Sequence, residues 1–376
     1  MRVMVLGLRG LTQVQGGVET HAAQLYRRLA TLGCEIEVLG RTPFVPAGQN
    51  NVGDVRVRRL WSPRRPGLEA MIHSLIGVAY AAVTRPDILH IHAIGPSIVA
   101  PIARLAGLRT VVTHHGPDYD RDKWGRFARW VLLIGERLGM QYSDARIAIS
   151  KTIAQVIRDK YGREAELIPN GVEVHAVRAE TDYLVEIGVQ PRRYVLHVGR
   201  LVPEKRQLDL IEAFSRAAIP GWKLVLAGKL ADDRYCDEIR AAAASTEGVV
   251  LAGYVCGEPL DQLYSHAGAF VLPSSHEGLP IALLEALSYG VPSLASSIAG
   301  NLEVGLDPAC YFPPGDIHAL ASRLAQLARE PLDEQAAARR RLWTKKRYDW
   351  DRIALQTLSV YARCLGSAPR LTPEPR

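Results

Sequence analysis

The chain has 376 residues, 48% of them apolar and 23% charged. That balance excludes a disordered chain, and the length exceeds the roughly 250–300 residues at which one hydrophobic core stops growing, so two domains are expected. The net charge of +7 is uneven, which excludes a uniformly basic protein: residues 1–170 hold 23 Lys and Arg against 14 Asp and Glu, or +9, leaving 23 against 25, or −2, for residues 171–376.

Met1 to Leu6 reads directly as a strand, without a charged leader and an apolar signal core, and the longest apolar run, Leu75 to Val83, is too short to span a bilayer. Five scattered cysteines (Cys34, Cys236, Cys256, Cys310, Cys364) form no CxxC pair, so a reducing cytoplasm is expected rather than a disulfide framework. Strand-like runs at 2–6, 35–39, 88–92, 110–113, 146–149 and 165–168 alternate with helical patterns at 20–32, 96–106 and 151–160. After the turn dipeptide Asn170-Gly171 the alternation restarts, with strands at 194–198, 223–227, 249–251, 270–272 and 292–295. This is an α/β pattern of parallel βαβ units. It implies two doubly wound Rossmann-like domains, 1–172 and 173–349, with the cleft between them as the ligand site. The last segment, 350–376, opens with a helical run that either ends the second domain or crosses back to the first. It closes with the Pro-rich tail SAPRLTPEPR, expected to lack structure.

The chemistry-bearing residues follow the strands. Gly16-Gly17 opens the first helix and lets backbone approach a ligand at a helix N-terminus, although no GxGxxG dinucleotide fingerprint is present. Thr113-His114-His115-Gly116 ends another strand, so one imidazole is expected to reach the ligand. His90 and His92 share a strand face, but no Cys, Asp or Glu lies near them in sequence, and no metal site is expected. In the second half, GRLVPEKR follows a strand: Arg200 suits a diphosphate as a planar fork and Lys205 as a point charge. Glu277 and Glu285, in HEGLPIALLEALSYGVP, lie beyond a further strand and within the helix expected over 281–289, with Pro280 at its first position. Carboxylates there can accept hydrogen bonds from sugar hydroxyls. No acidic pair is placed to hold a divalent ion, since Asp232-Asp233 lies beside a helix. Two basic clusters contain aromatics: Arg56, Arg58, Arg59, Arg64 and Arg65 around Trp61, and Arg121, Lys123, Arg126 and Arg129 around Trp124, Phe127 and Trp130. Such clusters fit an anionic membrane surface or a nucleic acid, and a solvated face is the plain alternative.

GGVE, THHG, PNGV at 169–172, GRLVPEKR and EGLPIALLE stand in the order found in the family 4 retaining glycosyltransferases of the GT-B fold, and the chain resembles that family through YDWDRIA at 348–354. The resemblance implies that Arg200 and Lys205 hold the diphosphate of a nucleotide-sugar donor, that Glu277 contacts the donor-sugar hydroxyls, and that Glu285 contacts the ribose. It further implies that His115, with Glu277, lies at the transferred sugar, and that Gly16 and Gly17 lie near the phosphates. The backbone of Gly278 and Leu279 would line the donor site, and Tyr254 and Val255 would meet the nucleobase. Pro280 has no amide proton to add.

The implied activity is metal-independent, needs no cofactor, and transfers the sugar to a glycan or polyprenyl-diphosphate-linked acceptor. The opening GLRGLTQVQGGVETHAAQLYRRL is similar to bacterial members that assemble exopolysaccharide or surface polysaccharide, so a cytoplasmic enzyme peripheral to the inner membrane face is expected, with no nucleic-acid partner. Two alternatives stay open: a GT-B sugar-nucleotide epimerase and a catalytically silent binding protein.

Overall fold

The computed structural model describes residues 1–11, 16–65, 67–120, 125–330 and 333–366. Arg121, Lys123 and Trp124 of the second basic cluster, and the tail from residue 367, lie outside the described residues. The chain divides into two compact units, Met1–Asn170 with Trp350–Arg376, and Gly171–Asp349.

In the first unit the strands are β1 (Arg2–Leu6), β2 (Glu35–Arg41), β3 (Asn51–Val52), β4 (Val55–Leu60), β5 (Ile88–His92), β6 (Thr110–His114), β7 (Ala145–Ala148) and β8 (Glu166–Leu167). They form one sheet in the order β3-β4-β2-β1-β5-β6-β7-β8, parallel except for the β3–β4 pair. Continuously apolar strands such as Val3-Met4-Val5-Leu6 form because the sheet is covered on both faces, as parallel sheets require. The helix Gly17–Thr31 packs Leu25, Tyr26 and Leu29 against this core, with acidic Glu19 in its first turn and basic Arg28 in its last, both favourable to the helix dipole. The final helix, Trp350–Cys364, buries Trp350, Ile353, Val360 and Tyr361 in the same cluster. Arg28 Nε donates to Asp351 Oδ1 at 2.7 Å.

The second unit holds β9 (Tyr194–Val198), β10 (Lys223–Ala227), β11 (Val249–Gly253), β12 (Ala269–Leu272), β13 (Ser293–Ser296) and β14 (Tyr311–Phe312) in the order β11-β10-β9-β12-β13-β14, all parallel. The sequence reading overlooked β3, β4 and β14. In Val55–Leu60 the alternation of buried Val55 and Val57 with exposed Arg56 and Arg58 is a strand signal hidden inside a basic cluster.

Each sheet has one point at which the chain reverses its direction of growth, β1/β5 in the first and β9/β12 in the second. The carboxyl ends of the strands splay apart there and leave room for a ligand. Gly7 marks the first such point: its φ is +106°, and a Cβ would meet the His92 carbonyl oxygen at 2.3 Å.

Candidate functional site

At the β9/β12 point of the second unit, the loop after β9 carries Arg200 and the 3₁₀ turn Pro203–Lys205, and the loop after β12 carries Glu277. The two loops are tied together: Ser275 N donates to the Glu204 carbonyl at 2.9 Å, and Lys205 Nζ forms a direct ion pair with Glu277 Oε1. Ser274 Oγ donates to the same carboxylate oxygen at 2.7 Å. Both charged groups are mostly buried, with side-chain exposures of 17% and 11%. Their separation by 72 residues in sequence is therefore closed to one hydrogen bond by the fold. Arg200 is held from its backbone. Gln207 Nε2 donates to the Arg200 carbonyl at 2.8 Å and lies 3.1 Å from His197 Nε2, while His197 Nδ1 donates to the Val271 carbonyl at 2.9 Å. Burial lowers His197 to about 4, so this brace is neutral at pH 7. The first helical glycine after β13 also serves the site, because a Cβ at Gly300 would strike the Glu277 carbonyl oxygen at 2.3 Å.

Glu285 lies in the helix Ile281–Ser288, whose N-cap is Pro280 in an extended conformation. The expectation that Pro280 opens the helix is therefore corrected by one residue: with ψ at 108° it precedes the first turn. Tyr264 OH donates to Glu285 Oε2 at 2.9 Å, and the Tyr264 ring stacks on Tyr289 at 5.4 Å and 13°. Glu285 keeps some accessible surface, yet protein surrounds its carboxyl group. Burial raises it to about 7, against the lowering effect of the Tyr264 hydrogen bond and with a further rise from Asp261. Gly278 and Leu279 link Glu277 to this helix, with the Leu279 side chain buried. Tyr254 and Val255 directly follow β11, two strands from the reversal point, and Tyr254 is 51% exposed.

In the first unit, Gly16 is the N-cap and Gly17 the first residue of the helix that follows β1. His115 follows β6 and is half-buried. Its neighbour His114 is fully buried: Nδ1 accepts from Gly116 N at 3.1 Å and Nε2 donates to Glu136 Oε1 at 2.8 Å. His114 therefore shapes the turn, and His115 is the imidazole of the two that keeps accessible surface. His115 Nε2 lies 2.9 Å from His92 Nδ1, and burial, reinforced by neighbouring imidazoles, holds both rings well below the usual histidine range. Two surface cavities of about 190 and 460 Å³ contain none of the motif residues; they open beside the amino-terminal ends of the strands, near Arg2 and Glu35 in one unit and Arg192 and Trp222 in the other.

Two family models match almost the whole chain in succession: Glycosyltransferase Family 4 over residues 15–176 and Glycosyl transferases group 1 over residues 186–346. The chain belongs to the family 4 glycosyltransferases. It is an enzyme of the GT-B fold that transfers a sugar from a nucleotide-sugar donor. Among its relatives, the O-antigen chain mannosyltransferase B of Escherichia coli is 28% identical over 172 residues, 45% of each chain. Glycogen synthase of Mycobacterium tuberculosis is 27% identical over 96% of this chain and 94% of its own. Among solved structures, sucrose-phosphate synthase of Thermosynechococcus elongatus superposes with a TM-score of 0.82 at 22% identity, over 97% of this chain and 99% of that one. Anabaena HepE in complex with UDP and glucose superposes at 0.77 and 17% identity, over 96% of this chain and all of that one.

Within this family 4 chain the structure adds residues that the sequence reading passed over. Ser274 and Tyr264 hydrogen-bond the two glutamates, and His197 and Gln207 brace Arg200. Ser274 stands three residues before Glu277 and was within reach of inspection. Tyr264 stands 21 residues from Glu285, on a different helix, and no local signal marks it.

Proposed function

We propose that the second unit binds the donor, with Arg200 and Lys205 on the diphosphate, Glu277 on the sugar hydroxyls, Glu285 on the ribose, the Gly278 and Leu279 backbone along the sugar, and Tyr254 and Val255 at the base. The observation that carries this reading is the Lys205–Glu277 pair at the β9/β12 reversal point. A nucleotide-diphosphate sugar presents an anionic oxygen and sugar hydroxyls on neighbouring groups, and this pair places a cation beside a hydroxyl acceptor. HepE of the same fold, solved in complex with UDP-glucose, supports this reading. In the first unit, we assign Gly16 and Gly17 to the phosphates and His115 to the transferred sugar, where a neutral ring can exchange hydrogen bonds with a hydroxyl.

The reaction is retaining and needs no metal. The bond between the anomeric carbon and the diphosphate oxygen breaks, and the acceptor oxygen bonds the same face of that carbon. The acceptor's proton passes to an oxygen of the departing diphosphate, whose charge Arg200 and Lys205 stabilise. Chelator-treated enzyme should transfer at the full rate; loss of activity that manganese restores contradicts this. A thermal-shift screen of UDP-, GDP- and TDP-sugars identifies the donor, since a ligand that binds only the folded state raises its melting temperature. Product analysis distinguishes transfer to an acceptor from epimerisation of the donor.

The acceptor we propose is a glycan or a polyprenyl-diphosphate-linked glycan in bacterial exopolysaccharide or surface-polysaccharide assembly. Among the described residues no helix is long and apolar enough to cross a membrane. The helix Arg126–Tyr142 instead exposes Phe127, Trp130 and Leu133 at helical spacing, beside Arg126 and Arg129, and Trp61 is 61% exposed after the arginine-rich β4. A basic face with exposed aromatics suits the anionic headgroups that surround a lipid-linked acceptor.

A further inference from the structure

His92 has partners that its sequence neighbours did not supply. His21, on the helix Gly17–Thr31, and His115, after β6, converge on it, so that one ring nitrogen from each of the three lies within 4.8 Å of the others. The ring centroids are 5.7 Å (His21–His92), 5.0 Å (His21–His115) and 5.2 Å (His92–His115) apart. Three imidazoles bound tetrahedrally at ~2.0–2.1 Å from one ion have centroids about 5 Å apart.

The outer nitrogens are also fitted for ligation. His21 Nδ1 lies 2.9 Å from Asn170 Oδ1, an amide oxygen that can only accept, so the proton sits on Nδ1 and Nε2 carries the lone pair. His92 Nε2 meets the Tyr26 hydroxyl, which is 2.9 Å from His90 Nδ1; His90 Nε2 in turn is 2.7 Å from Thr113 Oγ1. Metal-binding histidines are held in this way, by a partner on the nitrogen away from the ion. The Trp350 ring closes one side, 5.3 Å from His21.

We propose that His21, His92 and His115 form a three-histidine site for a borderline divalent transition-metal ion of the zinc, cobalt or nickel class, with water completing the coordination. Binding requires no net proton release. The proton that bridges His92 and His115 shifts to His92 Nε2, where the Tyr26 oxygen accepts it, and His115 keeps its own on Nδ1. The ion is an inhibitor: it fixes the ring assigned to the transferred sugar. This second statement rests on the proposed role of His115, whereas the binding itself does not.

The test uses the full chain, stripped by chelator and titrated with cobalt(II). The expected result is one tetrahedral cobalt site per chain, visible by its ligand-field absorption, displaced by one equivalent of zinc, and retained in Cys256→Ser. His21→Asn should abolish the signal, and Asn170→Ala should weaken binding at least tenfold. Thermal stabilisation of both variants by a nucleoside diphosphate checks that they fold. A cobalt signal that persists undiminished in His21→Asn, vanishes in Cys256→Ser or never appears overturns the proposal. His21-dependent binding that leaves transfer unchanged upholds the site and removes His115 from the reaction.

Discussion

The two sheets gather their polar groups at the same topological place, the carboxyl edge where strand order reverses, but with different groups at the centre. At β9/β12 the second unit sets full charges against each other: Lys205 on Glu277, and Arg200 3.9 Å from Glu204. At β1/β5 and the neighbouring β6, the first unit buries His21, His90 and His92 beside the half-buried His115, and the surrounding protein keeps these rings neutral at pH 7. A preorganised ion pair can be divided between a phosphate and hydroxyl donors of one ligand. Neutral imidazoles serve a ligand without charge. The difference shows that one fold, used twice, can place paired charges at one sheet edge and neutral rings at the other.

The comparison can be broken by substitution. Lys205→Ala should have the largest effect, lowering kcat by about 10²–10³, because a cation that stabilises the departing diphosphate acts mainly in the transition state; steady-state kinetics checks this. Glu277→Ala should lower kcat/KM by roughly 10–100-fold through loss of charge-assisted hydrogen bonds. Its affinity for the bare nucleoside diphosphate should hold. His115→Ala should slow transfer about tenfold, the scale of one neutral hydrogen bond, again without altering nucleoside diphosphate affinity. Equal loss of that affinity in all three variants would erase the distinction between the units.

Glu285 gives a pH-dependent test of the charged side. Burial raises its carboxyl group to about 7, and on the proposed assignment ribose hydroxyls would donate to the carboxylate form. Donor affinity should therefore be full above about pH 7 and fall as pH drops through it, by up to about tenfold per unit. Glu285→Gln should flatten that profile in calorimetry. The smallest effect concerns the surface: Phe127→Ser with Trp130→Ser should reduce flotation with anionic liposomes a few-fold, and wild-type association should weaken with salt.

How much of this was legible in sequence depended on distance along the chain. GRLVPEKR and EGLPIALLE were readable because each is a continuous stretch that follows a strand. Alternating strands and helices likewise revealed two parallel α/β sheets. The histidine cluster was not legible, because His21 and His115 stand far from His92 and only the β1-β5-β6 order assembles them. Tyr264 was hidden for the same reason. At β4 the charge of VRVRRL masked its period of two. At Asp333–Tyr348, basic composition concealed a helix whose N-cap, Asp333 Oδ1, accepts from Gln335 N at 2.8 Å and Ala336 N at 3.1 Å.

The most direct measurement is paired calorimetry of the wild-type enzyme, Glu277→Ala and Lys205→Ala, each titrated with a nucleoside diphosphate and with the matching nucleotide sugar. Glu277→Ala should bind the diphosphate as wild type does but lose the added affinity contributed by the sugar, and Lys205→Ala should weaken both ligands together. Unchanged binding of both ligands in both variants would contradict the assignment of the Lys205–Glu277 pair to the donor.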